Sequence, residues 1–208
     1  MAKQGKKSGE RAGRLIGRRY RYTDDYKVVP SIGAGGRHEK RVIYTGEWIR
    51  PTNGEAAYRR LVRAIWVLLA LAVLAVIGAV QILPPPMTNK WYVPVLMISV
   101  FPLAYQVLGA VRIPSAVTCM ERQHFDKSFV RTGHSATFAF VVMCLAALAL
   151  VIYWIVAAVG TVEGEAPYSL RDGLFAVLLA AAAAAELGIR KLVGQLTTEN
   201  VENSAYHP

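Results

Sequence analysis

Four uncharged apolar stretches divide the chain, and the segments joining them swing between basic and nearly uncharged or acidic. Ala64–Leu83 runs for 20 residues with Gln81 as its one strongly polar side chain, Trp91–Val111 for 21, and Ala136–Gly160 for 25. A helix rising 1.5 Å per residue needs about 20 residues to cross about 30 Å of hydrocarbon. The fourth stretch, Gly173–Ala185, has 13 uncharged residues. It reaches crossing length only as Leu170–Ile189, with Arg171 and Asp172 at one interface and Glu186 near the other. The pattern predicts an all-α integral membrane protein, an antiparallel four-helix transmembrane bundle with spans near 62–83, 91–111, 135–159 and 170–189.

Finer patterning marks the helix ends. Thr52–Glu55, Thr118–Glu121 and Ser169–Asp172 each place a hydroxyl three residues before an acid, the spacing of a capping box, and each precedes an apolar run. Phe125, Phe129, Gly133, Ala136, Phe140, Met143 and Ala147 follow at spacings of three and four, which predicts one unbroken face on a third helix from Thr118 to about Val159, with Gly133 as its bend. Tyr58, Leu61, Ile65 and Leu68 form a similar stripe on the first helix, and Pro84–Pro86 ends it. Pro94 and Pro102 lie inside the second span and predict a bend, with Ser99, Tyr105 and Gln106 near enough to satisfy the freed carbonyl. Trp91 and Tyr92 suit an outer interface. Ala180–Ala185 would let the fourth helix approach its neighbours closely.

Charge sets the orientation. Lys and Arg are retained on the cytoplasmic side. Residues 1–63 carry 16 Lys and Arg against 6 Asp and Glu; the middle connection has Arg112, Arg122, Lys127 and Arg131; Arg190 and Lys191 follow the last span. The other two connections have Lys90 alone, and Arg171 against Glu163, Glu165 and Asp172. Both termini are therefore expected in the cytoplasm, with the plasma membrane as the expected location. The first 60 residues are polar, so the first span is expected to act as an uncleaved anchor.

Outside the spans, residues 1–21 form a basic, glycine-rich arm that buries nothing and is expected to be disordered. Residues 22–51 read as a hairpin: Tyr26–Val29 and Arg41–Tyr44 are short strand-like runs separated by Pro30–Gly36. The span-bearing region is 52–196, and 197–208 reads as a polar tail. Gly33–Gly36 lacks both the third glycine of a dinucleotide loop and a following Gly-Lys-Ser/Thr, so a hairpin tip is the better reading.

Candidate chemistry is sparse. Cys119 and Cys144 fall in a cytoplasmic loop and inside a span, which excludes a disulfide framework. His38, His124, His134 and His207 are scattered, no His-x-x-x-His or Cys-x-x-Cys occurs, and no metal or cofactor is called for. Arg59, Arg60 and Arg63 can reach lipid phosphates, and anionic inner-leaflet lipid is the expected partner of the basic end. No reading motif accompanies the charge, so nucleic acid is not expected. Tyr44 and Trp48, in the densest apolar cluster outside the spans, are the candidate partner surface, for a membrane protein or a second copy of the chain. Glu186 is the one candidate for a charged group toward the bilayer interior, with Arg190 placed for an i,i+4 pair.

Three function classes fit to different degrees. A non-enzymatic accessory or scaffold protein, presenting a basic cytoplasmic surface to lipid or a partner, agrees best with the clean spans. A small oligomeric transporter or channel would use Pro94, Pro102 and Glu186, but the chain lacks internal repeats. A lipid-acting enzyme has no paired acids and no nucleophile–base set to support it.

Overall fold

In a computed structural model, the described residues are 22, 25–32, 38–82, 92–160 and 170–201. The basic arm, Gly33–Gly36, Pro84–Pro86, Trp91, Ser169 and His207 lie outside them. The chain is mostly helical, with four helices long and apolar enough to cross a membrane. They are α1 (Glu55–Ile82); α2 (Tyr92–Ile98) continued by α3 (Val100–Ala110); α4 (Arg122–Phe125) continued through a π-helical turn (Asp126–Val130) into α5 (Arg131–Ala158); and α6 (Leu170–Gly194).

The buried positions explain the packing. On α1 they include Val62, Ile65, Leu69, Ala72, Val76 and Ala79; on α5, Thr132, Ala136, Ala139, Met143, Ala146, Leu150, Tyr153 and Ala157. On α6 they are Asp172, Phe175, Leu179, Ala182, Glu186 and Ile189, together with Ala185. Alternating steps of three and four give a 3.5-residue period, which keeps one narrow seam against a neighbour and favours left-handed crossings. Many seam residues are Ala, which lets backbones come close. Helix α6 packs between α1 and α5, and α5 also packs against α2 and α3. Gly78 of α1 faces Leu178 of α6, and Gly188 of α6 faces Leu68 of α1, so this pair runs in opposite senses. The outward faces are apolar instead of polar: Leu74 is 66% exposed and Phe101 77%. A water-soluble bundle would place charge there.

Helix α5 departs from the expected single face. Phe140 is half-buried and Ala147 is exposed. Phe129, Ala136 and Met143 are buried as that face requires, but the seam takes Ala139 and Ala146 in place of Phe140 and Ala147. Gly133 is no bend; it sits in regular helix against Val193. The expected start at Thr118 also fails. Met120–Glu121 form a strand, and α4 begins at Arg122 after Glu121, which makes no side-chain cap. Helix α1 does begin at Glu55, but the Thr52 hydroxyl donates to Thr197 Oγ1 (2.7 Å), away from the helix.

The second span is interrupted at Ser99, between α2 and α3. The cause is Pro102: it has no amide for the Ile98 carbonyl, and its ring crowds that carbonyl. Pro94 contributes no bend, because it occupies the first turn of α2, where a helix does not use the amide. Tyr92 is fully buried, its ring packed on Tyr153 and Phe175.

At one end of the helices lie two small sheets. Strands β1 (Tyr26–Ile32) and β2 (His38–Tyr44) pair antiparallel from Tyr26↔Tyr44 to Ile32↔His38, a longer hairpin than the expected runs. Strand β3 (Trp48–Pro51) lies between β4 (Met120–Glu121) and β5 (Thr198–Val201). The 197–208 segment is therefore not wholly a tail. A strand of four residues from its start pairs with β3, Pro51↔Thr198 to Trp48↔Val201. Three segments distant in sequence close into one sheet under the helix ends.

Candidate functional site

The π-turn organises the basic end. Widening a turn frees carbonyls, and hydroxyls fill the gap: Ser128 Oγ donates to the carbonyls of His124 (2.8 Å) and Phe125 (3.1 Å), and Thr132 Oγ1 to that of Ser128 (2.8 Å). Phe129, fully buried, meets Phe125 and Tyr58, and the Tyr58 hydroxyl donates to the Pro114 carbonyl (2.9 Å). Helix α3 approaches closely: a Cβ on Gly109 would lie 2.7 Å from Thr132 Oγ1 and 3.2 Å from the Ser128 carbonyl oxygen.

Between this turn and α3 opens a cavity of about 490 Å³ lined by Tyr22, Tyr105, Asp126, Lys127, Arg131 and His134, with Val130 and Ser135. That volume is in the range of small-molecule and headgroup sites. The Arg131 guanidinium lies 4.4 Å from the centre of the Tyr105 ring, a cation–π contact that orients the charge and leaves N–H donors free. The one acid, Asp126, accepts a hydrogen bond from the Tyr22 hydroxyl. Lys127 and Arg131 thus form a cationic wall, with the His134 imidazole beside them, next to a phenol-capped carboxylate. His124, outside the cavity, contacts the Arg112 carbonyl through Nε2 (2.9 Å), so that nitrogen carries the proton.

Arg59, Arg60 and Arg63 sit together on an open groove of α1 with Glu55 and Ala56. Glu55 Oε1 pairs with Arg59 Nε (2.7 Å), and its other oxygen accepts from the Val117 amide (3.2 Å), so Arg60 and Arg63 carry the groove's uncompensated charge.

Tyr44 and Trp48 are spent within the molecule. Tyr44 stacks edge-on against Tyr26 and Trp48, its hydroxyl donates to the Glu47 carbonyl (2.8 Å), and the same oxygen accepts from the Arg122 amide (3.1 Å). The Tyr26 hydroxyl donates to Glu121 Oε2 (2.7 Å). Burial, then the Glu121 hydrogen bond, pushes the Tyr26 phenol above its ordinary range, and burial raises Tyr44 too. The cluster clamps the hairpin to the start of α4. The hairpin also exposes Val28, Val29, Val42 and Ile43, of which Val28 and Val42 are a cross-strand pair.

Glu186 does not form the expected pair with Arg190. It is fully buried, while Arg190 is exposed. Asp172 is buried as well and accepts a hydrogen bond from the Tyr92 hydroxyl (2.8 Å). Pro94 is exposed at the start of α2, and Pro102 is buried in α3. Ser99 and Gln106 do not satisfy the freed carbonyl, because their side-chain polar atoms have no hydrogen-bond partner among the described residues. Tyr105 is half-exposed beneath Arg131.

The cavity residues were overlooked in the sequence although a signal was there. Lys127, Arg131 and His134 fall at steps of four and three, one cationic helix face. Among the described residues, no group of three or more His, Cys, Asp and Glu side chains could hold a metal ion. Comparison with protein-family models, curated proteins and solved structures finds no match to this chain.

Proposed function

We propose that this chain crosses a bilayer four times as an antiparallel bundle, with both termini on the cytoplasmic side of the plasma membrane. There it works as a non-enzymatic accessory or scaffold protein whose basic end holds anionic inner-leaflet lipid and presents the hairpin and sheet to a membrane partner. The observation that carries this reading is the cavity beside the π-turn. The cations Lys127 and Arg131, with His134, line it where the apolar outer face of α5 begins, and the one nearby carboxylate is already engaged by Tyr22. A lipid phosphate seated there would meet Lys127 and the free donors of Arg131, while its acyl chains would lie along α5. Arg60 and Arg63 supply a second contact on α1.

Each basic residue near an anionic surface contributes about 1 kcal/mol, which is about fivefold in affinity. Native mass spectrometry of protein extracted with phosphatidylserine or phosphatidylglycerol should find retained anionic lipid, and phosphatidylcholine should not substitute for it. Retention should fall several-fold in Arg131→Ala and further in Lys127→Ala/Arg131→Ala. Equal retention of both lipid classes, or no change in the double variant, would remove the support. Crosslinking and pull-down from native membranes should return a stoichiometric partner; its absence would defeat the accessory role.

A further inference from the structure

The second span carries buried polar residues that lie outside the lipid cavity. Tyr92, Ser99 and Gln106 stand seven residues apart and are each fully buried in an otherwise apolar segment. Seven residues are two turns, so the three lie on one face. They look toward α6, whose buried acids, Asp172 and Glu186, are two heptads apart on its own seam. The upper rung is closed, with the Tyr92 hydroxyl on Asp172 Oδ1. The lower rung is open. The Gln106 amide lies next to the Glu186 carboxyl, yet neither Glu186 oxygen and neither polar atom of Gln106 has a hydrogen-bond partner of good geometry among the described residues.

A carboxylate with no counter-ion is not stable in such a place; it takes up a proton or a cation. The packed elements offer no counter-charge. Helix α1 has no ionisable side chain between Arg63 and its end, and α5 has Cys144 alone between His134 and Tyr153. On α3, Tyr105 is half-exposed under Arg131; on α6 itself, Arg190 is exposed. A protonated carboxyl, by contrast, complements a primary amide: its O–H can donate to Gln106 Oε1 while its carbonyl oxygen accepts from Nε2.

We propose that Glu186 and Gln106 form a proton-binding site inside the helix layer. Glu186 takes up and releases the proton, and Gln106 holds the carboxyl in both states, accepting from the acid and donating to the anion. The break at Ser99, between the two rungs, gives α3 freedom to adjust as the carboxyl changes charge. The site does not depend on lipid binding at the basic end.

Infrared difference spectroscopy of the full chain in liposomes tests this, with pH steps in light and heavy water. Wild type should show a protonated-carboxyl stretch that is absent in Glu186→Gln, shifts in heavy water, and disappears reversibly as pH is raised. Gln106→Leu should shift the frequency of that band and the pH at which it is lost, because the amide partner is gone. Three outcomes would overturn the proposal: identical carboxyl spectra for wild type and Glu186→Gln at every pH, a band that never titrates, or a band displaced by sodium or potassium at constant pH. The last would make the site one for a metal cation.

Discussion

At the scale of single residues, the tightest point in the structure is Gly109. Alanine at a helical glycine ordinarily gains up to about 1 kcal/mol, because it restricts the unfolded chain and favours helix. At Gly109 that gain is outweighed. The new methyl would press on Thr132 Oγ1 and on the backbone of Ser128 and Thr132, and the Thr132 side chain is pinned by its hydrogen bond to Ser128. At Gly78 the nearest atom is Leu178 Cδ1 at 3.4 Å, an ordinary contact. Gly109→Ala should therefore cost about 1–3 kcal/mol, the range for overpacking, while Gly78→Ala should be neutral or stabilising. Thermal unfolding in detergent micelles of the two variants side by side would decide it. A Gly109→Ala protein as stable as Gly78→Ala would mean that α3 does not sit against the π-turn as described.

At the scale of elements, the hairpin is attached to the helices by tyrosines, and this attachment has a pH limit. The Tyr26 phenol is raised above its unfolded value by burial and by its hydrogen bond to Glu121. A group whose pKa is higher in the folded state stabilises that state fully below its unfolded pKa, about 10 for tyrosine. The contribution shrinks as pH rises through and beyond that value. Tyr44 titrates in the same sense. The hairpin should stay docked through neutral and mildly alkaline pH and loosen above about 10, read by limited proteolysis between residues 22 and 51. Tyr26→Phe should loosen it already at neutral pH, by about 1 kcal/mol for one half-exposed hydrogen bond to a charged group, and should flatten the alkaline response. A cleavage rate insensitive to both changes would place the attachment elsewhere.

The same element shows how far sequence could reach. The paired runs of β1 and β2 are short, carry β-branched and aromatic residues and are separated by a glycine-rich segment, so their pairing was legible, and so was the start of α1. The β3–β4–β5 sheet was not. Met120–Glu121 and Thr198–Val201 are too short and too polar to carry a strand signal, and they become strands only because β3 is brought between them by the helices. The π-turn was equally hidden. Its register depends on the hydroxyls of Ser128 and Thr132 finding carbonyls, which no hydrophobic count records. The expected face holds at Phe129, Ala136 and Met143 and fails at Phe140 and Ala147, because a run of alternating small and large apolar residues does not show that the seam takes Ala139 and Ala146 instead. Glu186 was visible as an acid in an apolar run. Its burial depended on the seam of α6, which a tract of six alanines leaves undetermined because any of its faces could be the packed one.

At the scale of the molecule, the sense of the helices is tied to the β3 sheet. Strand β3 precedes α1, β4 precedes α4, and β5 follows α6, yet all three are hydrogen-bonded neighbours. The start of the first long helix, the start of the third and the end of the fourth must therefore share one end of the molecule. In a bilayer this is possible only with an even number of crossings between β3 and β5, and with the 112–121 connection on the same side as both. The surplus of Lys and Arg on these segments is the basis for proposing that side as the cytoplasmic one under the positive-inside rule. With the native cysteines replaced, Gly5→Cys and Ala205→Cys should both react with a membrane-impermeant maleimide only after inside-out opening of the membrane. Glu163→Cys should react from outside. If the two terminal cysteines labelled from opposite faces, β5 could not reach β3, and the sheet, the helix directions and the cytoplasmic placement of the lipid cavity would fall together.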